Sequence, residues 1–319
     1  MKNVGFVILL LLSVCACKED NQLENEIAKI PVEIEVERFD LAFAHAKPSD
    51  LPQLKNIYPF LFSERIPDSI WIDRMKDSLQ QELSSEVEKT FSNFEDVEND
   101  MTSFFQHLKY YDKTLKMPRI ITVTSDVDYR NKVIVTDTIV LIALDTYLGA
   151  DHHFYEGIQV FLTQNMNRNQ IVSDLAAEYS EKYIFQPNPK TLLDDMIYFG
   201  KQLYFKDKMI PFKTDAVKIG YTADQMAWVI SNESEIWRYF IERELLFSTD
   251  PSLAGRFIID APFSKFYLEL DSESPGRIGQ YIGWQIVKSF MKNNAVDFIK
   301  MLQMDADEIF NNSKFKPRK

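Results

Sequence analysis

Strand-like alternation occupies only a small part of this chain, and that limits the fold more than any other feature. "PVEIEVERFD" (31–40) alternates Val32, Ile34 and Val36 with Glu33, Glu35 and Glu37, the period of a half-buried strand. "RIITVTS" (119–125), "NKVIV" (131–135) and "TIVLIALDTYL" (138–148) are rich in β-branched residues and read as a small antiparallel sheet. Elsewhere the apolar residues recur at helical spacing. Asp68 caps a helix to about Phe91, carrying Ile72, Met75, Leu79, Leu83, Val87 and Phe91 on one face. A second helix over 94–112 presents Val97, Met101, Phe104, Phe105 and Leu108. Further helices are expected over 169–183, 191–206 and 222–246, then from the "SPGRIG" turn onward, and over 294–310. The basic tail "KFKPRK" reads as frayed. The class is therefore α+β and mostly helical, a small antiparallel sheet followed by a helical subdomain.

With 319 residues, 45% of them hydrophobic, the chain can bury a substantial core. Residues 31–319 read as one domain, with a mainly helical part over 31–117 and a sheet-plus-helix part over 118–319. Residues 1–16 have the form of a signal peptide. Lys2 precedes an apolar run, Val4–Leu12, that is too short to span a bilayer. Val14-Cys15-Ala16-Cys17 then matches a bacterial lipobox, which makes Cys17 the expected lipid acceptor and 17–30 a lipidated Cys followed by a polar tether. Both cysteines lie in this segment, so the exported body has no disulfide to hold it. Several acyl chains on Cys17 would anchor it to an envelope membrane. The periplasmic face is favoured over the cell surface.

The net charge of −12 disfavours nucleic acid as a partner. No glycine-rich phosphate loop occurs among the 9 Gly. The four histidines (His45, His107, His152 and His153) include no pair at i and i+4, the spacing that a helical zinc site needs. His152-His153 read as a surface pair. Asp194-Asp195 open a helix, and Glu233, Glu235, Glu242 and Glu244 read as a solvated helical face. No metal site and no cofactor are expected.

The strings "VERFDLAF" (36–43), "QMAWVISNESEIWRYFIERELLFSTDP" (225–251), "APFSKF" (261–266) and "SPGRIGQYIGWQIVKSFM" (274–291), together with the lipobox, resemble the GldB family of gliding-motility lipoproteins of Bacteroidota. The resemblance runs through nearly the whole exported chain. It implies a role in surface motility, protein partners from the gliding or secretion machinery, and no assigned reaction.

A more remote resemblance is to gluzincin-type zinc peptidases, in the order of elements. There "TIVLIALDTYLG" takes the place of the substrate-side edge strand. Ala177-Glu178-Tyr179-Ser180-Glu181 takes the place of HExxH, and Phe199 before Gly200 the place of the third ligand. That correspondence puts Ala177 and Glu181 where the histidine ligands stand and keeps only Glu178, the general base, in kind. The chain is then a pseudo-peptidase with the metal ligands lost. Tyr179, Arg277, Tyr281 and Trp284, with Phe199, are candidates to line a relic cleft that binds a peptide of a partner, and the strand near 138–145 could add an extended peptide. The plain alternative for each is core packing. The competing functions are a metal-independent hydrolase and a ligand-binding lipoprotein.

Overall fold

A computed structural model describes residues 22–185, 189–269 and 271–318. The expected lipid acceptor Cys17 and the signal segment lie outside the described residues. The sheet has four strands, β1 (Val36–Arg38), β2 (Arg119–Val123), β3 (Val133–Val135) and β4 (Ile139–Ala143), in the order β1-β2-β4-β3. Strands β1, β2 and β4 run parallel, and only β3 is antiparallel to its neighbour β4. The expected antiparallel sheet is thus a mixed one. The chain leaves β1 through a long helical excursion and returns beside it, which produces a parallel pair.

The alternation along β2 and β4 divides two cores. Ile120, Val140 and Ile142 face the main core, whereas Ile121, Ile139 and Leu141 face a smaller cluster built on Phe43, Leu51, Leu54, Tyr58 and Phe62. Both faces of the central strands are covered, which explains why they read as nearly continuous apolar runs. The smaller cluster comes from α1 (Phe39–Ala44) and α2 (Leu51–Ile57). Of the strand expected over 31–40, only Val36–Arg38 pairs, and the chain turns helical at Phe39.

The helix expected from Asp68 to Phe91 is two helices, α3 (Asp68–Lys76) and α4 (Ser78–Thr90). Asp77 breaks it. Its backbone is extended (ψ 129°), and its side chain accepts the Gln80 N–H at 2.8 Å, a new N-cap. Helix α5 (Glu95–Tyr111) buries Met101, Phe104, Phe105 and Leu108 completely, at the spacing of one helical face. Residues 22–30 are not a free tether. A helical turn over 22–27 buries Ile27, and Gln106 Nε2 on α5 donates to the carbonyls of Ala28 and Ile30.

The C-terminal half is a helical assembly of α6 (Ile171–Glu181), α7 (Leu192–Met209), α8 (Asp215–Ile219), α9 (Ala223–Glu242), α10 (Ser252–Phe257), α11 (Ile278–Asn293), α12 (Phe298–Leu302) and α13 (Ala306–Ser313). Helix α7 starts with a capping box between Thr191 and Asp194. Its centre crosses α11 at Gly200 and Gly283, which let the two backbones approach. The single helix expected over 294–310 is split into α12 and α13. The tail is docked rather than frayed: Phe315 packs edge-on against Trp237 at 5.1 Å, and the Arg318 N–H donates to the buried Glu233 at 2.9 Å.

Candidate functional site

The residues singled out from the sequence do not converge on one cleft. Ala177, Glu178 and Glu181 lie on α6, with Phe199 and Gly200 on the adjacent α7. Gly200 is spent on the α11 crossing, and Phe199 packs edge-on to Tyr198. Tyr179 is buried against Phe104 and Phe105, with ring centroids 5.3 and 5.6 Å away. Tyr281 and Trp284 are fully buried. The Tyr281 hydroxyl donates to Glu233 at 2.7 Å, and Trp284 Nε1 donates to Asp207 at 2.8 Å. Both side chains lie on the face of α11 that meets the core, one turn apart, so their apolar bulk is packing and not a cleft wall. Strand β4 lies between β2 and β3 and has no free edge to which a peptide could add.

Glu178 is distinctive electrostatically. Burial, reinforced by the nearby Glu181 and Asp174 carboxylates, pushes its pKa up to about 7. Glu178 forms no hydrogen bond or ion pair among the described residues. Neither do three or more His, Cys, Asp or Glu side chains converge as a metal site among them.

One singled-out residue, Arg277, does open onto a cavity, of about 770 Å³. Its walls come from the loop before β3 (Arg130, Lys132), the segment 161–170, Asp174 on α6, Lys206 on α7, Lys218 and Gly220 at the end of α8, and Asp260. The volume falls in the range of about 300–1,000 Å³ typical of ligand pockets.

Each wall is held by a local device. The β3 loop is pinned by Asp145, a fully buried carboxylate that accepts the N–H groups of Ser125 (3.0 Å) and Val127 (2.7 Å). In this stretch Asp126 and Val127 both have left-handed backbones (φ 57° and 60°), a strained state for β-branched Val127. Burial raises the Asp145 pKa, and those N–H bonds oppose the rise. Gly220 ends α8 in the left-handed conformation (φ 72°), as helix C-terminal glycines do. Its carbonyl accepts Arg277 Nη2 at 2.9 Å, Asn165 Nδ2 at 3.0 Å and Gln164 Nε2 at 3.2 Å. Three separate segments are tied at one oxygen. Arg277 itself has φ 60°, and its Nε lies 3.2 Å from Asp260.

The cavity is cationic inside an acidic protein. Five cationic side chains (Arg130, Lys132, Lys206, Lys218 and Arg277) face two carboxylates, Asp174 and Asp260. Asp174 is already engaged by Lys132 and by the Tyr147 hydroxyl at 2.9 Å. Lys218 pairs with Asp207 at 2.9 Å and Asp215 at 3.4 Å. Lys206 is different. It is buried, and its ammonium donates only to Ser173 Oγ at 3.0 Å and the Lys218 carbonyl at 2.9 Å, with no carboxylate within ion-pair distance. Desolvation lowers its pKa to about 8.

Sequence reasoning missed Lys206, Lys132 and Asp174. A signal was present for the first. Lys206, in the last turn of α7, stands three residues from the buried apolar Leu203 and Met209 on either side, so it falls on the buried face and needs polar partners. The Lys132–Asp174 pair joins residues 42 apart in sequence and had no local signal.

Among the described residues, no helix is long and apolar enough to cross a membrane. No curated protein and no solved structure matches this chain. The sequence model of one family, described as gliding motility protein GldB, matches residues 20–317, a span that takes in both cores, the mixed sheet and every wall of the cationic cavity. The chain therefore belongs to the GldB family of gliding motility proteins.

Proposed function

We propose that the chain is a lipid-anchored, non-catalytic component of the gliding apparatus that binds a protein partner of the gliding or secretion machinery through the Arg277–Lys206 cavity. The lipobox at Cys17 and the lipoprotein family carry the anchoring. The binding role rests on one observation: a large cavity onto which the left-handed Arg277 and the buried Lys206 open, both held there by hydrogen bonds to the C-terminal carbonyls of α8. Strain and buried charge maintained at one place mark a working surface. On this reading any peptidase ancestry survives only in the order of elements and in Glu178, and the working surface is the neighbouring cavity.

The test is an Arg130→Glu, Arg277→Ala double substitution in cells. Loss of gliding and loss of a co-purifying partner, at normal protein level, support the proposal. Normal gliding with an unchanged set of co-purifying proteins removes it. A hydrolase reading has Glu178 on its side, since a carboxyl with a pKa near neutrality can carry a proton to and fro. Turnover of a peptide or ester panel that disappears in Glu178→Gln would establish that reading instead.

A further inference from the structure

We infer that the cavity recognises an acidic peptide segment, with Lys206 and Arg130 as the groups that read its carboxylates. This inference rests on the partner-binding reading and names the chemistry of what is bound.

Three observations carry it. The first is uncompensated charge. An ammonium has three donors, and Lys206 uses two of them on neutral oxygens while lining the cavity. Arg130 makes no ion pair among the described residues; its guanidinium lies 4.7 Å from the ring of its neighbour Tyr129, and the Asp128 carboxylate is the nearby charge that interacts with it. Because Lys132, Lys218 and Arg277 are each engaged by a carboxylate of the protein, Lys206 and Arg130 are the two cations of this wall that make no ion pair among the described residues and are open to a carboxylate from outside.

The second observation is a free amide. Gln170 is buried on the cavity wall, and its side chain has no hydrogen bond to any described residue, yet its atoms are not sealed from solvent. A primary amide both donates and accepts, as a peptide backbone requires, whereas a bare inorganic anion would use only the donor. The third is the apolar part of the wall. Phe161 and Leu162 line it together with Ile259, which is 57% exposed, and Val160, beside them in the chain, is 80% exposed. Cations, an amide and exposed aliphatic side chains around one cavity fit a short acidic peptide with apolar residues between its carboxylates. The net charge of −12 makes the cavity the place where such a segment is attracted rather than repelled.

The test uses the full chain in detergent micelles and fluorescence anisotropy. The probes are a labelled hexapeptide alternating Glu and Phe, its Gln-and-Phe counterpart, and inorganic phosphate as competitor. The acidic peptide is expected to bind at least tenfold more tightly than the amide one. Arg130→Glu, at an exposed position, and Lys206→Met should each weaken it at least tenfold in variants whose circular dichroism matches the parent. Equal affinity for the two peptides, no binding of either, or phosphate bound more tightly than the acidic peptide would overturn the inference. Motility of the Arg130→Glu strain separates the two levels. Lost gliding together with failed peptide selectivity leaves the partner-binding reading standing and removes only the acidic specificity. Normal gliding together with failed selectivity removes both.

Discussion

Gly200 and Gly283 face each other where α7 crosses α11, and a Cβ on Gly200 would lie 2.5 Å from the Gly283 carbonyl group. A Cβ on Gly283 would sit inside the van der Waals envelope of the Met196 carbonyl. The obstructing atoms are backbone, which cannot rotate away. Gly283→Ala is therefore expected to lower stability by about 3 kcal/mol, at the upper end of overpacking effects. Gly255→Ala is the control, because nothing lies within 4 Å of its Cβ and its helix gains a better helix former. It should be neutral or stabilising by roughly 0.5 kcal/mol. Urea unfolding of the two variants gives the comparison.

Lys206 predicts a conflict between stability and binding. Its folded pKa, about 8, lies below the ordinary lysine value of 10.5, so the folded chain disfavours the charged form. The resulting destabilisation is full below pH 8 and fades as pH rises from 8 through 10.5. Lys206→Met should then be more stable than the parent by roughly 2–3 kcal/mol at pH 7, with the difference shrinking above pH 9. Thermal unfolding across that range checks it. A variant that is stabler yet fails to bind would show that the ammonium is kept for its ligand.

Glu178 carries the opposite kind of group. Its folded pKa of about 7 stands above the ordinary 4.5, so the folded chain holds a proton that the unfolded chain releases. Stability contributed by that proton is complete below pH 4.5 and is lost as pH rises through 7. The side chain is half-buried, and solvent screening reduces the effect. Glu178→Gln should gain about 1–2 kcal/mol at pH 8 and lose the slope between pH 5 and 7. Equal slopes in the two proteins would place the titration elsewhere.

Removing residues 314–319 should lower stability by about 2 kcal/mol. Glu233, 2% exposed, would keep the Tyr281 hydroxyl and lose the Arg318 N–H, and Trp237 would lose Phe315. For a chain of this size that amounts to a fall of about 3 °C in Tm, read by scanning calorimetry.

The helices were legible because a 3.6-residue period needs only local sequence: α5 and α7 begin within a residue of where their apolar faces and caps put them. The break at Asp77 was missed, because the apolar period runs on through both sides of it and an Asp within that period does not by itself announce a new N-cap. The partners of β1 were not legible. A parallel pair joins residues 84 apart, Val36 with Ile120, and nothing local records that choice. The site failed for a related reason. Tyr281 and Trp284 have the residue types of a recognition surface and of a core alike, and only the position of α7 decides between them. Arg277, left-handed in backbone just before α11, lines the cavity and stays outside the helical packing that claims Tyr281 and Trp284.

The docking of residues 22–31 along α5 also limits how far the body can stand from its anchor. Lys109 Nζ donates to the Pro31 carbonyl at 3.0 Å, and Glu24 bonds His107, so this stretch belongs to the folded body. If Cys17 holds the lipid, four residues of sequence separate it from the docked stretch, and four fully extended residues span at most about 14 Å. The body then stays within a short stem's length of the bilayer. On that condition, a partner that binds the body meets it close to the membrane surface.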